Sequence, residues 1–92
     1  MTYVRVAWKH QQPDEPVTLY SELDKNRFEV RKVEVYRDGH VGYAESGRSS
    51  GGTKLGIVAM PMLSEIAKDP QFEPVEITKE EFEAAWARRS EH

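Results

Sequence analysis

Apolar and polar positions alternate through most of the first half of the chain. Between Thr2 and Lys9, Val4, Val6 and Trp8 fall in one phase, and Tyr3, Arg5, Ala7 and Lys9 in the other. That period of two is the mark of a half-buried strand. The run Gln11-Gln12-Pro13-Asp14-Glu15-Pro16 interrupts it and predicts a loop. From Val17 to Leu23 the alternation returns, with Val17, Leu19 and Leu23 inward and Tyr20 and Glu22 outward, and Asp24-Lys25-Asn26 makes a turn. A third strand opens with Phe28 and Val30 inward. Strict alternation would then carry Lys32 and Glu34 into the core, whereas the apolar residues resume out of phase at Val33 and Val35. A β-bulge near Arg31-Lys32 reconciles the two phases. Asp38-Gly39 suits the two central positions of a tight hairpin turn, after which Val41 and Tyr43 face inward on a short fourth strand.

The second half is punctuated differently. Residues 46–56, which hold Gly47, Gly51, Gly52 and Gly56, predict a flexible loop. Pro61 fits the first turn of a short helix with Leu63, Ile66 and Ala67 on its apolar face, ended by Asp69-Pro70. Glu73 to Ile77 predicts a last strand, placed at a sheet edge because Pro74 has no N–H to donate. Thr78 and Glu81 have the spacing of a capping box, and Phe82 and Trp86 share one face of the helix that follows. The tail Arg88 to His92 is expected to fray. The expected fold is therefore α+β, one domain over residues 1–92. It is a twisted, mainly antiparallel sheet of four or five strands with two short helices on one face, in the order ββββαβα. Trp8, Phe28, Phe82 and Trp86 join the valines as the core.

Composition narrows the class. The 92 residues are 38% apolar and 32% charged, with a net charge of −3. The acidic balance makes nucleic acid an unlikely partner, since phosphate binding draws on a basic surplus. With no cysteine there is no disulfide, thiolate metal site or thiol nucleophile, which points to the cytoplasm. MTYVRVAWKH lacks the apolar stretch of a signal peptide, and no segment approaches the roughly 20 apolar residues that span a bilayer. No membrane association is expected.

Few residues carry candidate chemistry. Gly47-Arg48-Ser49-Ser50-Gly51-Gly52-Thr53-Lys54 approaches a phosphate-binding loop, but Thr53-Lys54 reverses the Lys-Thr order that such a loop needs. Arg48, Ser49, Ser50 and Lys54 could still bind an anion, although a plain connecting loop accounts for them more simply. His10, His40 and His92 are dispersed and read as exposed loop and turn residues; no third ligand or base stands beside His10 and Asp14. Glu80-Glu81 is explained by the start of a helix, where negative charge is favoured, and Asp14-Glu15 does not read as an acid/base pair. No cofactor, metal or catalytic set is expected. The outward phase is richer. Tyr3, Arg5, Tyr20, Arg31 and Tyr36 should cluster opposite the valines, and tyrosine with arginine is the composition of interface hot spots. Glu22, Glu29 and Glu34 interleave with them and would repel phosphate. Cross-strand pairing on a solvated face, or cover by a helix, explains them equally well.

The blocks YSELD at 20–24, FEVRKVEVYRDGHVGYA at 28–44, GGTKLG at 51–56 and EITKEEFEAAW at 76–86 resemble a family of small uncharacterised bacterial domains, a domain of unknown function. The resemblance covers nearly the whole chain. It implies a free-standing bacterial cytoplasmic domain and transfers no catalytic residue. The functional expectation is a non-enzymatic protein-binding module, inhibitory or immunity-like by analogy of size and setting. The alternative is a small-molecule or anion-binding domain that uses residues 47–56.

Overall fold

Six strands form a single antiparallel sheet in a computed structural model that describes residues 1–91, with side chains through Arg89. They are β1 (Thr2–Trp8), β2 (Pro16–Leu23), β3 (Glu29–Tyr36), β4 (Val41–Glu45), β5 (Arg48–Ser50) and β6 (Phe72–Ile77). Their order across the sheet is β5-β4-β3-β2-β1-β6. The four hairpins from β1 to β5 run as a meander, and the chain then crosses to pair β6 with β1. The helices are α1 (Leu63–Ile66) and α2 (Lys79–Ala87). The α+β class is as expected. The strand count exceeds the expectation because Arg48–Ser50, expected as loop, pairs with β4. The tail also differs, since Arg88–Glu91 forms a 3-10 turn rather than fraying. His92 lies outside the described residues.

Both faces of the sheet are covered, and this changes the expected core. On one face, hereafter the α2 face, Tyr3, Val33, Val41 and Ile77 pack against Phe82 and Trp86, with Tyr20, Val35 and Tyr43 at the margin. On the other, Val4, Val6 and Leu23 pack under Met60, Leu63 and Phe72, which belong to α1, its approach and β6. The valines of β1 and of β3 therefore serve opposite faces. Phe28, expected inside, is exposed, and Trp8 is half-buried beside Phe72 at 5.9 Å.

The expected bulge is present, one residue earlier than anticipated. Glu22 opposes Arg31 and Leu23 opposes Glu29, so Val30 is the extra residue. A second irregularity at Val17 separates the Pro16–Tyr36 pair from the Thr18–Val35 pair. Beyond Val30, Arg31, Val33 and Val35 point to the α2 face, while Lys32 and Glu34 share the opposite face with Ser21 and Leu19.

The β3–β4 turn is also shifted. Gly39 N–H donates to Tyr36 C=O at 2.9 Å and Tyr36 N–H to His40 C=O at 3.0 Å, so Arg37 and Asp38 are the central pair. Gly39 follows at φ 93°, a conformation that disfavours side chains. β6 is an edge strand, as Pro74 requires. Thr78 caps α2 as its spacing predicts, its Oγ1 accepting from Glu81 N–H at 3.1 Å.

Candidate functional site

The five residues expected to share an exposed face do not do so. The sheet register puts Tyr3, Arg5, Tyr20 and Arg31 on the α2 face, but Tyr36 on the opposite one, one step beyond Val35. There Tyr36 stacks on His40 at 4.1 Å. Burial, with help from the nearby Glu34 charge, raises its phenol pKa.

Helix α2 lies over two of the remaining four. Arg31 Nε and Nη2 bind the two oxygens of Glu22 at 2.6 and 3.0 Å, and its Nη1 and Nη2 bind those of Glu83 at 3.1 and 2.6 Å. Its guanidinium carbon sits 4.8 Å from the Phe82 ring centre and 4.9 Å from that of Trp86. Hydrogen bonding to Arg31 holds the Glu22 carboxyl below its usual range, and does the same for Glu83. Burial pushes the Tyr3 phenol up, and its hydrogen bond to Glu22 adds to this. Arg31 and Tyr3 are thus the polar lock of the α2 face, with their donors committed inside the molecule. Tyr20 is half-buried at the edge of the same core, and Arg5 reaches Glu81 at 3.7 Å.

The glycine-rich segment is a second hairpin. Strand pairing sends Ser49 to one face and Arg48 and Ser50 to the other, which sets Ser50 apart from Ser49. Arg48, Ser49 and Lys54 line a shallow depression of about 340 Å³ together with Glu45, whose carboxylate lies 3.7 Å from Arg48. Gly42 is required beneath this hairpin. A Cβ there would meet Thr53 Oγ1 at 2.3 Å. His10 is anchored rather than free: Nδ1 accepts from Gln12 N–H at 3.0 Å and Nε2 donates to Pro16 C=O at 2.7 Å. Among the described residues no group of three or more His, Asp or Glu is placed to hold a metal.

A better-formed site lies on the face opposite α2. The segment from Gly56 to α1 stands off the sheet and leaves a cavity of about 370 Å³. Its walls are apolar: Val6, Leu19, Val58, Met60, Ile66 and Phe72. On the sheet side Ser21, Glu29 and Lys32 supply polar groups. The side chains of Glu29, Lys32 and neighbouring Glu34 are 7%, 17% and 14% exposed, which is unusually low for charged residues. Glu29 accepts from Ser21 Oγ at 2.9 Å and from Gly56 N–H at 2.5 Å, while Glu34 accepts from Thr53 Oγ1 at 2.7 Å. Lys32 Nζ lies 3.5 Å from the Lys54 carbonyl, 3.8 Å from Glu29 and 3.9 Å from Glu34.

Arg27 holds the outer wall in place. Its carbonyl accepts from Met60 N–H at 2.7 Å, and its Nε and Nη2 donate to the Met60 and Pro61 carbonyls at 2.9 Å each. Arg27 adopts φ 68°, a conformation uncommon for a residue with a side chain. The sequence offers no signal for this role. Lys32 and Glu34 share the Glu29 face only because the bulge at Val30 shifts the phase, and that face is covered as well.

The chain belongs to the family described as Domain of unknown function (DUF6881), whose model matches residues 2–91. No curated protein and no solved structure matches it. Among the described residues no helix is long and apolar enough to cross a membrane.

Proposed function

We propose that this chain is a non-catalytic protein-binding module whose contact surface is the segment from Ile57 to Met62 rather than the tyrosine–arginine face. One observation carries the reading: Ile57, Val58 and Met62 are 92%, 70% and 59% exposed within six consecutive residues. Single exposed apolar side chains are ordinary, but a run of large ones on one segment is the mark of a contact site. The segment is also held by the Arg27 hydrogen bonds, so a partner would meet a partly ordered surface and less conformational freedom would be lost on binding. The setting is a bacterial cytoplasm, and an inhibitory or immunity-like role suits a small acidic module of this kind.

The test is quantitative capture from the source cell by the wild-type chain and by an Ile57→Ser/Met62→Ser variant. At least one protein held by the wild type should fall about ten-fold with the variant, whose melting temperature should stay near wild type because both side chains are exposed. Identical capture profiles for the two chains would overturn the proposal.

A further inference from the structure

We infer that the cavity between the sheet and the segment from Gly56 to Ile66 binds a small neutral amphiphile, one with a carbonyl or hydroxyl oxygen on a compact apolar body. The site lies inside the wall whose outer side is the proposed protein contact, and the inference does not depend on that contact.

The size of the cavity, about 370 Å³, falls at the lower end of ordinary ligand pockets. Its walls call for an apolar body, since Val6, Leu19, Val58, Met60, Ile66 and Phe72 offer no side-chain hydrogen bond apart from the weak acceptor capacity of the Met60 sulfur. The polar side then decides the head group. Both Glu29 oxygens already accept a hydrogen bond, one from Gly56 N–H and one from Ser21. Glu34 is engaged by Thr53. Lys32 is different. Its ammonium has three N–H donors, yet the acceptors around it stand at 3.5, 3.8 and 3.9 Å. Charge-assisted hydrogen bonds are shorter, about 2.7–2.9 Å. The ammonium is therefore surrounded by acceptors without being closely bonded to any of them.

An acceptor atom on the ligand would complete it. The charge balance selects which kind. Two carboxylates flank the one ammonium, so the polar side carries a negative excess and opposes a carboxylate or phosphate head. A cationic head would have to approach Lys32 itself. An uncharged oxygen avoids both penalties, and a hydroxyl or amide head can also donate to a remaining lone pair of Glu29. Binding of this kind needs no bond to form or break.

The probes are hexanamide, hexanoate and hexylammonium, which share a six-carbon frame and differ in the head. Each is titrated into the full chain while methyl and amide NMR signals are followed. Hexanamide should shift the Met60 and Ile66 methyls and the Ser21 amide saturably, and the two charged probes should bind roughly ten-fold more weakly. Lys32→Met keeps the aliphatic stem and removes the donor; it should weaken hexanamide roughly ten-fold. Ala59→Phe leaves Lys32 in place, lies on the outer segment rather than in the sheet, and should narrow the cavity and weaken all three probes. Four results would each overturn the inference. One is no saturable shift with hexanamide, and another is shifts confined to Ile57 and Met62. The third is hexanoate or hexylammonium binding as tightly as hexanamide. The fourth is wild-type hexanamide affinity in both folded variants. None of these readouts uses partner capture, so the two proposals fail separately.

Discussion

On the α2 face, a nine-residue helix brings Phe82 and Trp86 down on Tyr3, Val33 and Ile77, and Arg31 ties strand to helix through Glu22 and Glu83. On the other face, an irregular segment with one four-residue helix covers Val4, Val6 and Leu23, and Arg27 holds its approach by donating two hydrogen bonds and accepting one. The first closure packs Phe82 and Trp86 ring against ring with Tyr3 and Tyr43. The second leaves a cavity, a loosely bonded ammonium and three exposed apolar side chains. The difference follows from the covering element. A helix with Phe and Trp at i,i+4 presents a ridge that seats on a sheet, whereas an irregular segment tied down through backbone groups at Gly56, Met60 and Pro61 spans the surface without filling it. One face of the same sheet is thus committed to stability, and the other is left with the features of a binding site.

The strongest way to break this comparison is at Arg31. Replacement by alanine leaves the Glu22 carboxylate, 10% exposed, without its cation and removes the guanidinium that lies over the Phe82 and Trp86 rings. A loss of about 3–5 kcal/mol is expected, because the partner left behind is a buried charge. Urea denaturation of the variant measures it. A loss under about 1 kcal/mol would place Arg31 among ordinary surface residues and return it to the pool of candidate contacts.

Acid should unfasten the same lock. Arg31 depresses the pKa of Glu22, so in the range just under the ordinary carboxylate value the unfolded chain binds the proton that the folded chain refuses. The corresponding stability is complete above about pH 4.3 and declines as pH falls through the lower, folded-state value. Glu83 shifts in the same direction, but its side chain is 41% exposed and it adds less. A Trp8→Phe variant leaves Trp86 as the fluorescent reporter of this face. Its stability, read by denaturant titration at stepped pH, should fall below that range. A flat profile from neutral pH to pH 3 would remove Glu22 from the account.

These two predictions concern residues whose type was legible in the sequence and whose place was not. Alternation located β1 to β4, the Thr78–Glu81 spacing located the cap, and Pro74 located β6 at an edge, because each signal depends on residues close along the chain. The assumption of a single apolar face did not hold. Once both faces are covered, Tyr3 is core on one side as Val4 is on the other, and period two alone cannot tell a covered face from a solvated one. The same assumption removed Lys32 and Glu34 from view, since an inward charge was treated as a register error to be repaired. Arg48–Ser50 was hidden by composition: serines between glycines resemble a loop until β4 offers an edge to pair with. Arg27 was beyond reach, because its role depends on contacts more than thirty positions away and on a backbone conformation that its side chain disfavours.

A smaller effect is expected at the start of α2. Thr78→Ala removes the oxygen that accepts from Glu81 N–H and should cost about 1 kcal/mol. Thr78→Ser, which keeps that oxygen, should restore most of the loss. If serine and alanine behave alike in denaturant melts, the cap contributes through the threonine methyl rather than through its hydrogen bond.

The smallest effect on overall stability, and the sharpest test of the comparison, is expected at Arg27. Alanine there removes the two side-chain bonds to the Met60 and Pro61 carbonyls and leaves the backbone bond from Met60 N–H. Those bonds hold a segment whose large side chains are already in water at Ile57, Val58 and Met62, so releasing it exposes little new apolar surface. Global stability should change by no more than about 1 kcal/mol. Local stability should change more. Hydrogen exchange at the Met60 amide should speed up in Arg27→Ala, while amides at the centre of β1 and β2 keep their protection, because the segment can open without the sheet. Unchanged exchange at Met60 would show that the backbone bond alone fixes the wall. A stability loss as large as that of Arg31→Ala would show more: that the covering segment belongs to the same cooperative unit as α2, and that the two faces differ in shape but not in the strength of their closure.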